Sequence, residues 1–277
     1  MCVTCGCSDD NAKITHLQTG EVVGINSHHT HTLPDGTVIN HSHSHDMVND
    51  ASEIHAKIHN TTISLEQDIL AKNNLIAAQN RGWFKGRNIL ALNLMSSPGS
   101  GKTTLLTRTI NDLKTKLTIS VIEGDQETIN DAKKIEATGC KVVQINTGTG
   151  CHLDALMVDK GLQKLNPSLD SVVMIENVGN LVCPALFDLG EQAKVTILSV
   201  TEGEDKPIKY PHIFRASNVM IITKIDLLPY VQFDVGKCIE YAQKVNPDMR
   251  IFKVSALTGE GLEDWYKWLK IKQVRSS

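Results

Sequence analysis

The chain has 277 residues, 41% of them apolar, and a formal net charge of −3. That length and apolar fraction suffice for one full core plus an appendage. The charge, with no basic stripe, argues against nucleic acid as a main partner, and no apolar run reaches the roughly 18–20 residues of a membrane helix.

The first ten residues carry neither the basic nor the apolar region of a secretory signal, so a cytoplasmic setting with reduced thiols is expected. Cys2, Cys5 and Cys7 form a CxxCxC cluster, and Gly6 permits the tight turn that would close three thiolates around one soft or borderline cation. If Met1 is removed, the Cys2 amine becomes a fourth donor. An N,S₃ set suits square-planar nickel(II), and zinc accepts the same thiolates tetrahedrally. Nine of the eleven histidines fall within residues 1–59, among them His28-His29-Thr30-His31 and His41-Ser42-His43-Ser44-His45. Such a tract suits nickel, copper or zinc, either as a store or as an incidental scavenger. Residues 1–60 hold two Lys/Arg against seven Asp/Glu and little aliphatic periodicity, so they read as a largely disordered metal-binding tail. Residues 61–277 read as one domain with a leading helix. Ser64-Leu65-Glu66-Gln67 matches a capping box at the helix start, and Leu65, Ile69, Leu70, Ile76 and Ala77 mark its apolar face.

Leu90-Ala91-Leu92-Asn93-Leu94-Met95 reads as a buried strand, and Ser96-Ser97-Pro98-Gly99-Ser100-Gly101-Lys102-Thr103-Thr104 follows it and opens a helix. Strand, Gly-rich turn and helix are the setting in which backbone N–H groups wrap phosphates. The strict GxxxxGK[ST] pattern has Gly where this chain has Ser96, but the core Gly99-Ser100-Gly101-Lys102-Thr103, followed by Thr104, is intact. Lys102 is placed to neutralise the β/γ-phosphates, and the Thr103 hydroxyl to ligate Mg²⁺. The segment predicts a nucleoside triphosphate site.

Beyond residue 88, β-branched runs at 89–95, 119–122, 142–145, 172–175, 195–200, 219–223 and 251–254 alternate with helical segments. This predicts βαβ units: an α/β fold whose mostly parallel sheet is flanked by helices. Two strand ends carry acids. Glu176, in Ile175-Glu176-Asn177-Val178-Gly179, is a Mg²⁺ candidate, with the Gly179 N–H near a γ-phosphate; Asp125, in Glu123-Gly124-Asp125, is a second candidate for Mg²⁺ or for orienting water. Cys151-His152 follows the turn Asn146-Thr147-Gly148-Thr149-Gly150, and Cys183 lies just past the Glu176–Gly179 loop, so the three are candidate ligands of a second soft-metal site. Cys140 and Cys238 read as packed thiols. Thr223-Lys224-Ile225-Asp226 is similar to NKxD. The Asp226 carboxylate accepts from the ring N–H and the exocyclic amine of guanine, and Lys224 lies along the base plane. Ser255-Ala256-Leu257 resembles the second base loop of GTPases. Together they favour GTP over ATP.

These segments jointly resemble the HypB family of nickel-incorporation GTPases in [NiFe]-hydrogenase maturation. The resemblance is carried by CVTCGC (2–7), NLMSSPGSGKTTLL (93–106), VIEGDQETINDA (121–132), NTGTGCHLDA (146–155), IENVGNLVCPALFDLGE (175–191), SVTEGEDKPIKYPHIF (199–214) and KIDLLPY (224–230). Ser96 and Glu176 are normal for that family; Thr223 replaces its usual Asn. The resemblance implies a P-loop GTPase of the SIMIBI type that dimerises with nucleotide and helps deliver nickel to the hydrogenase large-subunit precursor, together with a HypA-like nickel protein. It implies Cys2, Cys5 and Cys7 as a tight N-terminal metal site, and Cys151, His152 and Cys183 as a G-domain site near the dimer interface. It also implies a lysine of segment 202–207, here Lys206, reaching the partner subunit's phosphates.

Two other readings stay open: a nickel store with a secondary GTPase activity, and a urease-type accessory GTPase. The CxxCxC terminus and Cys183 argue against the latter. If Asp226 reads guanine, Asp226→Asn should cost about 2–4 kcal/mol, or about 30- to 1000-fold in GTP affinity, and should relax selectivity toward xanthosine nucleotides. Titration of both nucleotides checks this; equal wild-type affinity for ATP and GTP contradicts it.

Overall fold

The computed structural model describes residues 13–15, 22–24, 29–32, 38–41, 49–125, 130–148 and 150–275. Cys2, Cys5 and Cys7 lie outside the described residues, as do His28, His43 and His45 of the histidine tract. Contacts divide the chain into Met1–Gln67 and Asp68–Ser277, seven residues beyond the boundary expected at 60/61.

The first unit holds two antiparallel strand pairs, β1 (Lys13–Thr15) with β2 (Val22–Gly24) and β3 (His29–Thr32) with β4 (Val38–His41). The tail is therefore not wholly without regular structure. Pro34-Asp35-Gly36, between β3 and β4 in sequence, is turn chemistry that composition alone does not register.

The helix α1 runs Asn49–Gly86. It does not begin at the Ser64 capping box, because Ile54 and Ile58 continue an i,i+4 apolar spacing upstream and the helical backbone passes through Ser64 uninterrupted. The expected apolar face also shifts. Ile69 is 45% exposed, and the buried stripe is Asn73, Ala77, Asn80 and Phe84. Two asparagines can line a buried face because each is satisfied there. Asn73 Nδ2 donates to Asp188 O at 2.8 Å and its Oδ1 accepts from Ala155 N at 2.9 Å. Asn80 Nδ2 donates to Ala155 O and Leu189 O at 2.9 and 3.1 Å.

The second unit carries a seven-stranded sheet, every pair parallel: β5 (Leu90–Ser96), β6 (Ile119–Asp125), β7 (Lys141–Asn146), β8 (Val172–Gly179), β9 (Ala193–Ser199), β10 (Val219–Thr223) and β11 (Arg250–Lys253), in the order β11-β10-β9-β5-β8-β6-β7. All seven expected strands are present. The helices are α2 (Lys102–Leu113), α3 (Asn130–Glu136), α4 (Ala155–Leu165), α5 (Cys183–Leu186), α6 (Lys206–Lys209), α7 (Pro211–Ala216), α8 (Val235–Val245) and α9 (Leu262–Arg275), with a 3₁₀ turn at Ile225–Tyr230. Asp154 and Asp234 cap α4 and α8 by accepting from Met157 N and Lys237 N.

Side-chain alternation along β5 feeds two of the three buried clusters on opposite faces of the sheet, and Met95 joins the third. Leu90, Leu92 and Leu94 pack with Leu106 and Ile110 of α2 and Trp265 and Leu269 of α9. Ile89 and Ala91 pack with Phe84 of α1 and Val158 and Leu162 of α4. A strand covered on both faces must be apolar throughout, which is why the runs lack polar alternation. Because β5 lies between β8 and β9 while the chain goes on from it to β6, the carboxyl end of β5 opens at a switch point of the sheet, where such folds bind ligands. Among the described residues, no helix is long and apolar enough to cross a membrane.

Trp265 is 2% exposed, stacks on Trp268 at 5.3 Å and donates through Nε1 to Thr109 Oγ1 at 3.2 Å. Trp265→Ala should therefore cost about 3–5 kcal/mol of stability, read as a lowered midpoint in urea with an unchanged slope.

Candidate functional site

β5 ends at Ser96, and the turn to α2 uses Gly99 and Gly101 at φ 74° and 92°, a backbone that a side chain would strain. Gly101 precedes the first helical residue, Lys102, so the free N–H groups of α2 open onto this turn. Thr103 Oγ1 donates to Glu176 Oε1 at 2.7 Å, joining the start of α2 to the neighbouring strand β8.

Glu176 is 3% exposed, and Glu123, its register partner across the β6–β8 pair, is 2% exposed. Glu123 Oε2 and Glu176 Oε2 both lack a hydrogen-bond partner. Burial, then mutual repulsion and Asp125, push the Glu123 carboxyl up to about 8. Burial raises Glu176 as well, opposed by Lys102 and by the Thr103 hydroxyl. Two buried carboxyls with orphaned oxygens beside a threonine hydroxyl fit a hard divalent cation with oxygen ligands, as Mg²⁺ demands. Asp125, at the end of β6, lies close enough to raise both carboxyls and is brought to the same end of the sheet. No motif singles out Glu123; its one signal in the sequence is an acid inside an otherwise apolar strand.

The segment predicted to read the base also meets the Gly-rich turn predicted to hold phosphate. Thr223 Oγ1 donates to Ser100 O at 2.7 Å, and Lys224, at φ 59°, donates through Nζ to Gly99 O at 2.7 Å. Thr223 thus braces the phosphate turn from the position where NKxD has Asn. Asp226 lies in the first turn of the following 3₁₀ helix. Ser255 and Ala256 form the loop after β11, tied by Gly259 N to Ser255 O at 2.9 Å. Ser97 Oγ donates to Glu202 Oε2 at 2.6 Å, and Lys206 Nζ pairs with the same oxygen at 3.7 Å while lying over the Tyr210 ring.

The second cluster is Cys151, His152 and Cys183, whose ligand atoms all lie within 4.8 Å of one another. Cys151 Sγ lies 3.6 Å from His152 Nδ1, and the imidazole stacks on Phe187 with centroids 3.9 Å apart. Burial lowers the His152 pKa against the pull of Asp154, favouring the neutral ring that binds metals. Two thiols and an imidazole suit nickel or zinc rather than magnesium. In contrast, burial raises the Cys140 and Cys238 thiols to about 11 and about 12, consistent with packed, protonated side chains.

A buried amide chain links the clusters. Asn177, the residue after Glu176, accepts from Leu153 N and Val178 N at 3.0 Å each and donates to Asn93 Oδ1 at 3.1 Å. Asn93 Nδ2 donates to Glu191 Oε1 at 3.2 Å, and Glu191 Oε2 accepts from Leu189 N at 2.7 Å. The chain runs from the residue beside His152 to the loop that carries Phe187. Gly179 approaches the phosphate turn so closely that a Cβ there would lie 3.1 Å from Pro98.

A family model described as the CobW/HypB/UreG nucleotide-binding domain matches residues 90–253. The hydrogenase maturation factor HypB of Rhizobium leguminosarum bv. viciae is 58% identical over 213 residues, covering 77% of this chain and 71% of that one. The crystal structure of HypB from Archaeoglobus fulgidus superposes with a TM-score of 0.70 at 38% identity, covering 74% of this chain and 100% of that chain. That of HypB from Helicobacter pylori in complex with nickel gives 0.69 at 38% identity, over 74% and 96% of the two chains.

The buried carboxyl pair has a consequence for the cation-free protein. Glu123 holds its proton to about pH 8 in the native state but loses it near 4.5 when unfolded. The unfolded chain therefore binds fewer protons across that window, and stability falls as pH rises through it. Glu123→Gln should flatten this dependence and stabilise the chelator-treated protein at pH 8, measured by urea unfolding at several pH values.

Proposed function

The chain belongs to the HypB hydrogenase maturation factors of the CobW/HypB/UreG family, and we propose that it is a GTP-hydrolysing metallochaperone. In this reading it binds nickel and assists its insertion into the [NiFe]-hydrogenase large-subunit precursor, with nucleotide state gating dimerisation and transfer. The observation that carries the reading is the Cys151–His152–Cys183 cluster. Cys183 lies four residues beyond Gly179, which abuts the phosphate turn at Pro98.

The residues divide the work accordingly. Backbone N–H groups of Gly99, Ser100, Gly101 and the α2 start, with Thr104 beyond them, enclose the phosphates, and Lys102 stabilises the charge that develops on them. Thr103, Glu176 and Asp125, with Glu123 beside them, would hold Mg²⁺, which would supply further neutralisation of the triphosphate. Asp125 also orients the attacking water. Asp226 and Lys224 hold guanine, with Ser255 and Ala256 closing over it. Lys206 leaves Glu202 to reach the partner subunit's phosphates in a homodimer, and Glu202 then remains bonded to Ser97. Nickel is cargo, with zinc able to occupy the same ligands. Cys2, Cys5 and Cys7 form the tighter N-terminal site, and a HypA-like nickel protein is the exchange partner.

Gating requires that nucleotide and metal alter each other's affinity by the same factor. A tenfold effect is about 1.4 kcal/mol of coupling. In the Cys2→Ala/Cys5→Ala/Cys7→Ala protein, nickel affinity should differ about tenfold between GDP and a non-hydrolysable GTP analogue, after correction for dimerisation. Cys183→Ala should remove the nucleotide-dependent part of this nickel binding and leave GDP affinity unchanged. Equal nickel affinities in the two nucleotide states, with both ligands bound, would overturn the gating.

A further inference from the structure

Arg108 lies on α2, six residues after Lys102, and its guanidinium leaves the helix for the loop after β11. Nη1 donates to Ala256 O at 2.9 Å and Leu257 O at 3.4 Å. Nε is held by Asp112 Oδ2 at 2.7 Å, and that oxygen also accepts from the Tyr266 hydroxyl of α9 at 2.9 Å. Gly259, at φ +90°, leaves the space the guanidinium needs: a Cβ there would lie 3.0 Å from Nη2. The planar, five-donor fork can serve two carbonyls and a carboxylate together; a lysine ammonium lacks that fixed geometry.

The consequence lies in the opposite direction of each peptide. A trans peptide points its N–H away from its C=O. Ser255 O is taken by Gly259 N at 2.9 Å and Ala256 O by Arg108. The N–H groups of Ala256 and Leu257 are thereby turned away from these two bonds, as donors on the other side of the loop. Guanine offers the acceptor O6 on the edge where adenine carries an amine, so a fixed donor separates the two bases.

We propose that Arg108, braced by Asp112 and Tyr266, is a specificity-positioning residue: it aims the Ala256–Leu257 backbone donors at the O6 edge of guanine and ties the base loop to the phosphate helix. The assignment rests on guanine as the base, as proposed above.

The test uses the full chain and three diphosphates: GDP, 6-thio-GDP, in which sulfur replaces O6, and IDP, which lacks the amine read by Asp226. In Arg108→Ala, GDP affinity should fall about 5- to 10-fold, the size of one lost hydrogen bond. The preference for GDP over 6-thio-GDP should collapse, and the preference for GDP over IDP should stay. Tyr266→Phe, which loosens Asp112 without touching the loop, should give the same pattern more weakly and serves as the test if Arg108→Ala fails to fold. Equal weakening of all three diphosphates, or an unchanged preference for GDP over 6-thio-GDP, overturns the assignment. A wild type that binds ADP as tightly as GDP overturns the guanine reading and this assignment with it.

Discussion

The hydrogen bond from Thr103 to Glu176 joins the helix that follows the Gly-rich turn to the strand that leads toward Cys183. It is possible because β5 and β8 are parallel neighbours, so both reach the same end of the sheet. Glu176 is buried there with one oxygen bonded and the other orphaned, beside Glu123, whose Oε2 is orphaned as well. Buried carboxyls of this kind are costly unless a cation or proton compensates them. The site is thus built to be completed by a ligand, and the native state without one carries the cost.

Strand β8 also places the residues that come after Glu176. Asn177 turns inward to the amide chain, Gly179 turns outward against Pro98, and Cys183 begins α5. One eight-residue segment therefore reaches the buried carboxyl pair, the Gly-rich turn and the Cys151–His152–Cys183 cluster. A buried, satisfied amide network has few alternative arrangements, so it holds the His152 loop and the Phe187 loop in a defined relation. Lys194 extends the same corner, donating to Ala185 O and Phe187 O at 3.1 Å each.

On the other flank, the phosphate turn is held from outside. Thr223 and Lys224 bind its carbonyls, and Glu202 binds Ser97. Carbonyls occupied in this way on the outside of the turn are the arrangement an anion cradle needs. Thr223 makes its contact through a hydroxyl one bond from Cβ, donating to Ser100 O at 2.7 Å.

Composition and local pattern alone determined the seven strands, the Gly-Lys-Thr turn, the Cys151-His152 pair and the acidic strand end at Glu176, whereas the fold brings Cys183 to that pair. Each is a local statement, because a β-branched run, a Gly-Lys-Thr turn and a thiol beside an imidazole have their chemistry within a few residues. Only the tertiary structure decided that Asn73 and Asn80 belong to the buried face of α1, since their partners lie 75 to 115 residues away in the chain. The same holds for Glu123, an acid whose meaning depends on which strand β8 pairs with. It holds too for Arg108, which sequence places on an amphipathic helix and the fold sends 148 residues ahead to Ala256. Local pattern sets which segments form strands and helices, because backbone geometry and side-chain periodicity act over a turn or a pleat. Strand order sets which polar groups meet, because long-range pairing brings distant carboxyls, amides and guanidinium groups to one sheet edge.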